Sequence, residues 1–271
     1  MADIHPTAIV LGEADLAADV IVGPGCVIDG TLGPVTVGPG TRLYGHAYLY
    51  GPATIGQGNM IYPFVCLGFA PQTVGYDHTQ PGSGLAIGDH NTFREGTTVH
   101  RAMTDGGPTT IGDHNYFMCN AHAGHDNRIG DHCVVSNGVL LAGHVIIDDH
   151  VTIGGNTTVH QFCRIGRGAM LSGSVGAPRD LAPFFMLTGI NVVGSLNVIG
   201  MRRQGLPREQ VADIRWVYKT LYRRGLPPST ALAALRERAD RPMVAEYIAF
   251  IEASRRGLCS GRTATKRSQE H

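Results

Sequence analysis

An apolar residue recurs at every sixth position over long stretches of this 271-residue chain. The longest unbroken run has eleven members and extends from Ile111 to Leu171. Shorter runs with the same period cover residues 4–28, 37–67 and 87–99. Self-similarity at a short fixed period is typical of solenoids, in which each repeat packs mainly on its neighbours. The period therefore constrains this chain to an architecture of stacked repeats.

A small or β-branched residue stands two positions before many of these apolar residues, as in Val35 and Val37 or in Thr109 and Ile111. Side chains two residues apart on a strand point to the same face. Glycine often follows the apolar residue, which suits a tight turn. We therefore predict very short strands, three to a coil of about 18 residues, stacked in parallel around a triangular prism that the apolar ladders fill.

Two parts of the chain depart from the period. A Gly- and Pro-rich segment lies between Leu67 and Ile87 and predicts a loop that leaves the prism. Long loops on rigid scaffolds often carry binding residues. From about Leu206 the apolar spacing lengthens to that of amphipathic helices.

Three helices are predicted in this last part. The first begins at Pro207 and ends at Gly225, the second is capped by Ser229, and the third runs from Pro242 to Gly257. The predicted organisation is a β-helix over residues 1–200, a helical domain over 201–258 and a disordered tail over 259–271.

The charge distribution favours an acidic partner near the C-terminal part. Lys plus Arg equals Asp plus Glu at 22 each in the whole chain, but residues 202–271 contain 15 basic and 7 acidic residues. Such an imbalance attracts acidic proteins, although a solvated helical surface would look the same. Six scattered cysteines without a CxxC pair, and no signal-peptide pattern in residues 1–11, predict a cytoplasmic protein. We expect neither a nucleic-acid partner nor a membrane span.

Most of the 13 histidines have a structural explanation. Six of them stand three residues after a ladder residue, several in an Ile-Gly-Asp-His context, and are predicted to be turn residues on the corners of the prism: His46, His90, His114, His132, His144 and His150.

Four further histidines fall outside this slot, namely His100, His122, His125 and His160. Coils of about 18 residues place positions 125, 143 and 161 in one column and positions 126, 144 and 162 in the next. This stacking predicts one cluster on three adjacent coils, which takes His144 out of the turn class: His122, His125, Asp126, His144, His160 and Gln161.

The cluster suits acyl transfer to a hydroxyl group. An imidazole can act as the general base at neutral pH, and an adjacent carboxylate can hold its tautomer. Gly143 has no side chain, so its backbone N–H can approach the thioester oxygen on which negative charge develops. No Ser or Cys stands in a nucleophile motif, which favours direct transfer without a covalent intermediate.

Two other classes of protein are compatible with these residues. Three imidazoles suffice for a catalytic zinc ion, so His122, His125 and His144 would also fit a hydratase of the carbonic anhydrase type. That class would leave the helical domain unexplained. A purely structural β-helix would leave the histidines outside the turn slot without a purpose. We favour the acyltransferase and expect no metal or other cofactor.

Several segments together carry a family resemblance. They are His5-Pro6-Thr7-Ala8-Ile9-Val10, Asn120-Ala121-His122-Ala123-Gly124-His125-Asp126, Leu141-Ala142-Gly143-His144, Val159-His160-Gln161-Phe162-Cys163 and Arg255-Arg256-Gly257-Leu258. The chain resembles the hexapeptide-repeat acyltransferases, whose fold is a left-handed parallel β-helix. Among them it resembles the UDP-N-acetylglucosamine O-acyltransferases that open lipid A biosynthesis, over residues 4–258.

The resemblance implies a homotrimer that transfers a 3-hydroxy fatty acyl group from acyl carrier protein to the sugar 3-hydroxyl, with active sites between neighbouring prisms. It implies that His125 is the general base, that Asp126 orients it and that the Gly143 N–H faces the oxyanion. The remaining residues assigned to substrates are His100, His122, His144, His160 and Gln161 in the cleft, Asn197 and Arg203 at the nucleotide, and Gly173 with Ile190 or Asn191 in the acyl pocket.

Three positions depart from the family pattern. Thr73 and Gly75 stand where relatives have an Asp and a Lys near the sugar, and Ile199 stands where an acidic residue is usual near the nucleotide. An amino analogue of the sugar nucleotide, acylated on nitrogen, is therefore the alternative acceptor.

Overall fold

The computed structural model describes residues 1–261. A solenoid of about 10 turns is followed by a small helical part. Its strands are β1 (Asp3–Ile4), β2 (Ile9–Leu16), β3 (Ile21–Val22), β4 (Val27–Val37), β5 (Arg42–Leu43), β6 (Tyr48–Tyr50), β7 (Ala53–Ile55), β8 (Met60–Ile61), β9 (Cys66–Phe69), β10 (Leu85–Ile87), β11 (Thr92–Phe93), β12 (Thr98–His100), β13 (Thr109–Ile111), β14 (Tyr116–Phe117), β15 (His122–Ala123), β16 (Arg128–Ile129), β17 (Val134–Val135), β18 (Leu140–Leu141), β19 (Ile146–Ile147), β20 (Thr152–Ile153), β21 (Thr158–Val159), β22 (Arg164–Ile165), β23 (Met170–Leu171), β24 (Gly176–Ala177), β25 (Phe185–Gly189), β26 (Val192–Leu196) and β27 (Ser260–Gly261). The helices are α1 (Val198–Arg203), α2 (Arg208–Tyr222), α3 (Pro228–Arg236) and α4 (Pro242–Glu252).

The strands form three parallel stacks, which are the three faces of the prism. The first stack runs β1-β3-β5-β8-β11-β14-β17-β20-β23-β25. The second runs β6-β9-β12-β15-β18-β21-β24 and the third β7-β10-β13-β16-β19-β22. The long strands β2 and β4 pair with each other and precede both stacks, because each continues around a corner. Thr110, Arg128, Ile146 and Arg164 are successive register partners, so the repeat is the predicted one of about 18 residues.

The predicted ladders are confirmed as the core. Every ladder residue from Ile111 to Leu171 is at most 3% exposed. The prediction is wrong at the N-terminal end, where Ile4 and Val10 are 42% and 39% exposed. The physical reason is that β1 and β2 pair on one side only, so no further coil covers the first rung.

The corners of the prism explain the turn histidines. All six have a positive φ, between 47° and 59°. Four of them, His90, His114, His132 and His150, stack in one column with ring centroids 4.8 to 5.2 Å apart. The preceding aspartates form a second column, in which each carboxylate accepts the backbone N–H of the coil before it, as Asp131 does from Asp113. The predicted role as corner residues is confirmed for these histidines.

The helical part differs from the prediction in three details. The helix α2 begins at Arg208, one residue after the predicted Pro207, and Gly225 follows it with φ +65° as predicted. The predicted cap Ser229 is wrong, because α3 begins at Pro228 and Ser229 lies in its first turn. The last helix ends at Glu252 rather than at Gly257.

The short helix α1 was not predicted. The side chain of its N-cap residue Asn197 accepts the Gly200 N–H at 2.9 Å. An N-cap asparagine is a local helix signal, but a helix of six residues is too short to show an apolar periodicity in the sequence. The predicted domain boundary between residues 200 and 201 falls inside this helix. The division of the chain into two domains stays a prediction.

The helical part is tied to the prism by polar contacts, of which one is buried and one is partly exposed. Tyr247 donates to the Pro183 carbonyl at 2.6 Å, and Arg167 forms an ion pair with Glu246 at 2.6 Å. Cys259 is 1% exposed, and β27 pairs with β26, so residues 259–261 are part of the fold and the predicted tail starts too early. Residues 262–271, the rest of the predicted tail, lie outside the described residues. Within residues 1–261, no helix has the length and apolar character needed to cross a bilayer.

Candidate active site

The centre of the site is a histidine–aspartate pair at one corner of the prism. His125 Nδ1 lies 2.6 Å from Asp126 Oδ2, and the two side chains are 17% and 7% exposed. Asp126 has φ +59°, the turn conformation of this corner, which aims its carboxylate back at the preceding coil. A carboxylate on Nδ1 holds the proton there, so the lone pair of Nε2 is left free to accept another proton.

The Asp126 carboxylate is anchored by the preceding coil. It accepts the Thr104 hydroxyl at 2.6 Å and the backbone N–H groups of Met103 and Thr104 at 3.1 Å. Burial raises the pKa of Asp126, but these hydrogen bonds and the one from His125 outweigh it, and the pKa lies below its usual value. The carboxylate is therefore ionised at neutral pH. Sequence reasoning missed Thr104, which lies where the ladder is interrupted.

Gly143 packs directly on the His125 ring. A Cβ atom at position 143 would lie 2.6 Å from His125 Cε1 and 2.7 Å from Nε2, so only glycine fits without moving the imidazole. Within residues 1–261, the Gly143 N–H has no hydrogen-bond acceptor. The prediction that residues 125 and 143 lie next to each other on adjacent coils is confirmed.

His144 completes the corner. Its Nε2 lies 3.7 Å from Asp126 Oδ2, and its ring meets the His125 ring edge-on at a centroid distance of 5.1 Å. Phe162 of the next coil stacks on its other side at 4.6 Å. Burial lowers the pKa of His144, and the Asp126 charge opposes this only in part. His144 is therefore both a corner residue and a neighbour of the pair.

His100 and His122 lie around the corner, on the second face. Their rings are 5.0 Å apart, and His122 Nδ1 lies 2.8 Å from the Thr98 hydroxyl. Burial lowers the pKa of His100 to about 4 and also lowers that of His122, with His125 adding to both effects. Both rings are neutral at pH 7, which limits them to hydrogen bonding and packing.

His160 and Gln161 are exposed at the next coil. His160 Nδ1 lies 3.2 Å from the Gln161 carbonyl oxygen. His160 borders the same groove as His122, whereas His144 and Asp126 border a different cavity. The predicted cluster therefore borders two concave regions of one chain, with His122 and His160 on one of them and Asp126 and His144 on the other.

Two concave regions flank this corner. The apolar groove has a volume of about 730 Å³ and is lined chiefly by Leu140, Val159, Val175, Ile190, His122 and His160. The arginine cavity has a volume of about 530 Å³ and is lined by Arg128, Arg164, Arg255, His144, Asp126 and Phe162, among others. An apolar chain and a charged group can therefore reach the same corner from different sides.

The acyl-pocket residues are only partly placed as predicted. Ile190 is 76% exposed and lines the apolar groove beside Gly176. Asn191 points elsewhere, because its amide donates to the Ser260 hydroxyl at 3.3 Å. Gly173 is exposed but does not line the groove within one chain. Of the two alternatives, Ile190 is therefore the one that borders the groove, and its role in an acyl pocket stays a prediction.

The two predicted nucleotide residues lie on or next to α1. Asn197 is 7% exposed and its amide is occupied, since Oδ1 caps Gly200 and Nδ2 donates to the Gly168 carbonyl at 2.9 Å. Arg203 is exposed. Neither residue lines the groove or the cavity of its own chain.

Arg101 is a buried residue that sequence reasoning missed. It is fully buried and donates to the carbonyls of Gly68 at 3.1 Å, Gln80 at 2.8 Å and His78 at 3.3 Å. These acceptors lie at the two ends of the loop 70–84, which includes Thr73 and Gly75. The only sequence signal was an arginine immediately after His100, at the end of a strand.

We expect Arg101→Met to release this loop. The methionine fills part of the space but leaves three carbonyls without the charged donor, and hydrogen bonds to charged groups are each worth about 1.5–3 kcal/mol. Amide hydrogen exchange of residues 70–84 should accelerate at least tenfold while the exchange of β17 and β20 stays unchanged. Arg42→Met, at an exposed position on β5, is the matched control. An unchanged exchange rate in the loop would show that Arg101 is not its anchor.

The zinc hypothesis is not supported by the geometry. Within residues 1–261, the group with metal-ligand spacing is His125, Asp126 and His144, whose ligand atoms lie within 4.8 Å of one another. His122 is not in that group and pairs with Thr98 instead. The set of three imidazoles required for the hydratase is therefore not assembled within one chain.

Known proteins are similar to this chain over nearly its whole length. An acyl-[acyl-carrier-protein]–UDP-N-acetylglucosamine O-acyltransferase of Ectopseudomonas mendocina is 42% identical over 261 residues, covering 95% of this chain and 99% of the relative. The corresponding protein of Halorhodospira halophila is 44% identical with the same coverage. Residues 180–259 match the family model for domain 2 of UDP-N-acetylglucosamine O-acyltransferase.

Solved structures agree over the whole chain. The UDP-N-acetylglucosamine acyltransferase of Francisella novicida has a TM-score of 0.91 at 34% identity and covers 99% of both chains. The enzyme of Acinetobacter baumannii has a TM-score of 0.87 at 36% identity, over 94% of this chain and 98% of the other. The fold and these relatives thus define the chain as a left-handed parallel β-helix acyltransferase. Within that class, the chain belongs to the acyl-[acyl-carrier-protein]–UDP-N-acetylglucosamine O-acyltransferase family.

Proposed function

We propose that this protein transfers a 3-hydroxy fatty acyl group from acyl carrier protein to the 3-hydroxyl of UDP-N-acetylglucosamine, the first step of lipid A biosynthesis. The observation that carries the proposal is the His125–Asp126 pair at 2.6 Å with the Gly143 backbone packed against its free edge. The names of the relatives supply the substrates.

The proposed mechanism is a direct transfer. His125 Nε2 removes the proton of the sugar hydroxyl as its oxygen attacks the thioester carbon. The Gly143 N–H donates to the oxyanion of the tetrahedral intermediate. The carbon–sulfur bond then breaks, and the thiolate takes the proton back from His125, so that the ester and the free thiol of the carrier are the products. Asp126 stabilises the transient imidazolium.

The apolar groove is the proposed site of the acyl chain. It begins beside His122 and His160 and extends to Ile190, on the second face of the prism. Burial of a methylene group contributes about 0.8 kcal/mol, so a groove of fixed length selects chain length.

We expect Gly176→Leu to shorten the preferred acyl chain. Position 176 faces the groove, and a Cβ there would already contact Thr158 at 3.4 Å and Ile190 at 3.8 Å. Excluding three methylenes would cost about 2.4 kcal/mol, or roughly a 50-fold loss of kcat/KM for the best long substrate. Short-chain substrates should lose little. Rates across a series of acyl carrier protein thioesters test this, with Ala86→Leu as the control on the third face. A uniform loss at all lengths would contradict the assignment.

We propose a homotrimer in which a neighbouring chain completes the site. This explains why Asn197 and Arg203, assigned to the nucleotide by the resemblance, do not line the cavities of their own chain. Carrier protein is proposed to dock on the basic helical domain, where Arg208, Arg215, Lys219 and Arg223 are exposed along α2. The proposed location of the enzyme is the cytoplasm.

A product assay tests the proposal against its alternative. Purified protein is incubated with 3-hydroxyacyl carrier protein and either UDP-N-acetylglucosamine or its 3-amino analogue, and the products are analysed by mass spectrometry and NMR. We expect a 3-O-ester from the first acceptor. Amide formation with the analogue alone would establish the N-acyltransferase instead, for which the exposed Thr73 and Gly75 are the supporting departures.

A further inference from the structure

The arginine cavity has more positive charge than the proposed transfer chemistry needs. Arg128 lies on β16 and Arg164 on β22, both on the outer side of the third face. Arg255 comes from the segment after α4. All three line one cavity of about 530 Å³ that opens beside His144 and Asp126. The reacting corner and three guanidinium groups therefore share one enclosed space.

The fold does not require arginine at positions 128 and 164, because other coils have different residues at the same register position. The same outward position holds Thr36, Thr54 and Thr110 on earlier coils. Arg128 and Arg164 are two coils apart, or about 10 Å. Two like charges at that distance, with a third across the cavity, repel one another unless an anion lies between them.

Among residues 1–261, the three arginines form no ion pair with an acidic side chain. Within residues 1–261, no carboxylate oxygen lies within 4.0 Å of a guanidinium nitrogen of the three arginines. Arg128 donates to the Gly106 carbonyl at 3.3 Å, and Arg164 lies over the Phe250 ring at 4.6 Å. Asp126 is already occupied by Thr104, Met103 and His125. Asp148 and Asp149 border a separate depression together with Arg128, and Asp180 accepts the backbone N–H of Arg164 at 2.8 Å, but none of these acids is ion-paired with the three arginines. Arg164 only partly opposes the effect of burial on the pKa of Asp148.

We infer that the arginine cavity binds a phosphate ester of one of the two substrates, an inference that rests on the proposed function. Guanidinium groups bind phosphate oxygens bidentately and retain their charge when partly desolvated. Two sources of this chemistry would approach the corner: the diphosphate of the sugar nucleotide and the phosphodiester of the pantetheine arm that carries the thioester. Either one would hold its reacting atom beside His125 while the acyl chain occupies the apolar groove.

The test uses the full-length enzyme with Arg128→Thr, Arg164→Thr and the double variant. Threonine already occupies this column at positions 36, 54 and 110, so the substitution is compatible with the strands. KM is measured separately for the sugar nucleotide and for the acyl carrier protein, together with kcat. We expect KM for one substrate to rise about 10- to 100-fold in the double variant, with kcat within threefold of the wild type. The substrate whose KM rises identifies the source of the phosphate.

Two further variants complete the design. Arg255→Gln lies outside the solenoid and gives the same test without altering a strand. Arg42→Thr removes an exposed arginine from β5 and should leave both KM values unchanged. KM values that stay within twofold for both substrates, or a fall in kcat with unchanged KM, would overturn the inference. A wild-type enzyme that acylates no sugar would instead overturn the proposed function.

Discussion

His125→Ala is expected to reduce acyl transfer by about 10²- to 10⁴-fold, which is the usual contribution of a general base. The loss should fall on kcat, because the imidazole acts on the hydroxyl proton rather than on the bulk of either substrate. The side chain lies at a corner and is not part of the buried ladders, so the thermal midpoint should change by only a few degrees. Initial rates of sugar-ester formation, followed by mass spectrometry, measure the effect.

The matched control is another corner histidine. His132 has φ +56° and lies in the exposed column of stacked imidazoles, away from both the groove and the cavity. His132→Asn retains a residue that tolerates positive φ and should leave the rate unchanged. Near-normal turnover by His125→Ala would reject His125 as the base, whatever the control shows.

Gly143→Ala is expected to be almost as damaging, although it adds a single methyl group. The new Cβ would lie 2.6 Å from His125 Cε1, so either the ring or the backbone must move. A displacement of about 1 Å at a reacting group can cost roughly 10²-fold in rate. We expect a loss of about that size in kcat, with the fold and the proposed trimer intact. Gly189→Ala is the control, since its Cβ would have its nearest contact at 3.6 Å.

The double variant separates two explanations of this effect. If alanine at position 143 acts by displacing the imidazole, it should cost little more in a His125→Ala background, where no ring remains to be displaced. If it acts by misaligning the backbone N–H that binds the oxyanion, the two losses should multiply. A Gly143→Ala enzyme with full activity would contradict both explanations.

Some site residues could be placed from the sequence because a solenoid converts spacing into position. Positions 125 and 143 are one coil apart, so their contact follows from the repeat, and the structure confirms it. Asp126 was placed beside His125 because the two residues are consecutive in the chain. Within one chain, His160 borders the apolar groove and His144 borders the arginine cavity. The contribution of both residues to one site stays a prediction.

Other features depend on contacts that the repeat does not encode. Arg101 holds the loop 70–84 through backbone carbonyls, and any sequence offers those acceptors. The pairing of β27 with β26 brings residues 260 and 192 together from distant parts of the chain. Neither contact has a periodic signature, so neither was predicted.

The sequence by itself determined the stacked strands, their ladders and the neighbourhood of His125, Asp126 and Gly143, since a period of six residues fixes which side chains share a face and a column. Only the tertiary structure decided which corner residues face the groove and which face the cavity. It also decided that Arg255 closes that cavity opposite Arg128 and Arg164. The reason is that side-chain direction at a turn and the docking of a helical domain depend on packing between distant segments, which local spacing does not specify.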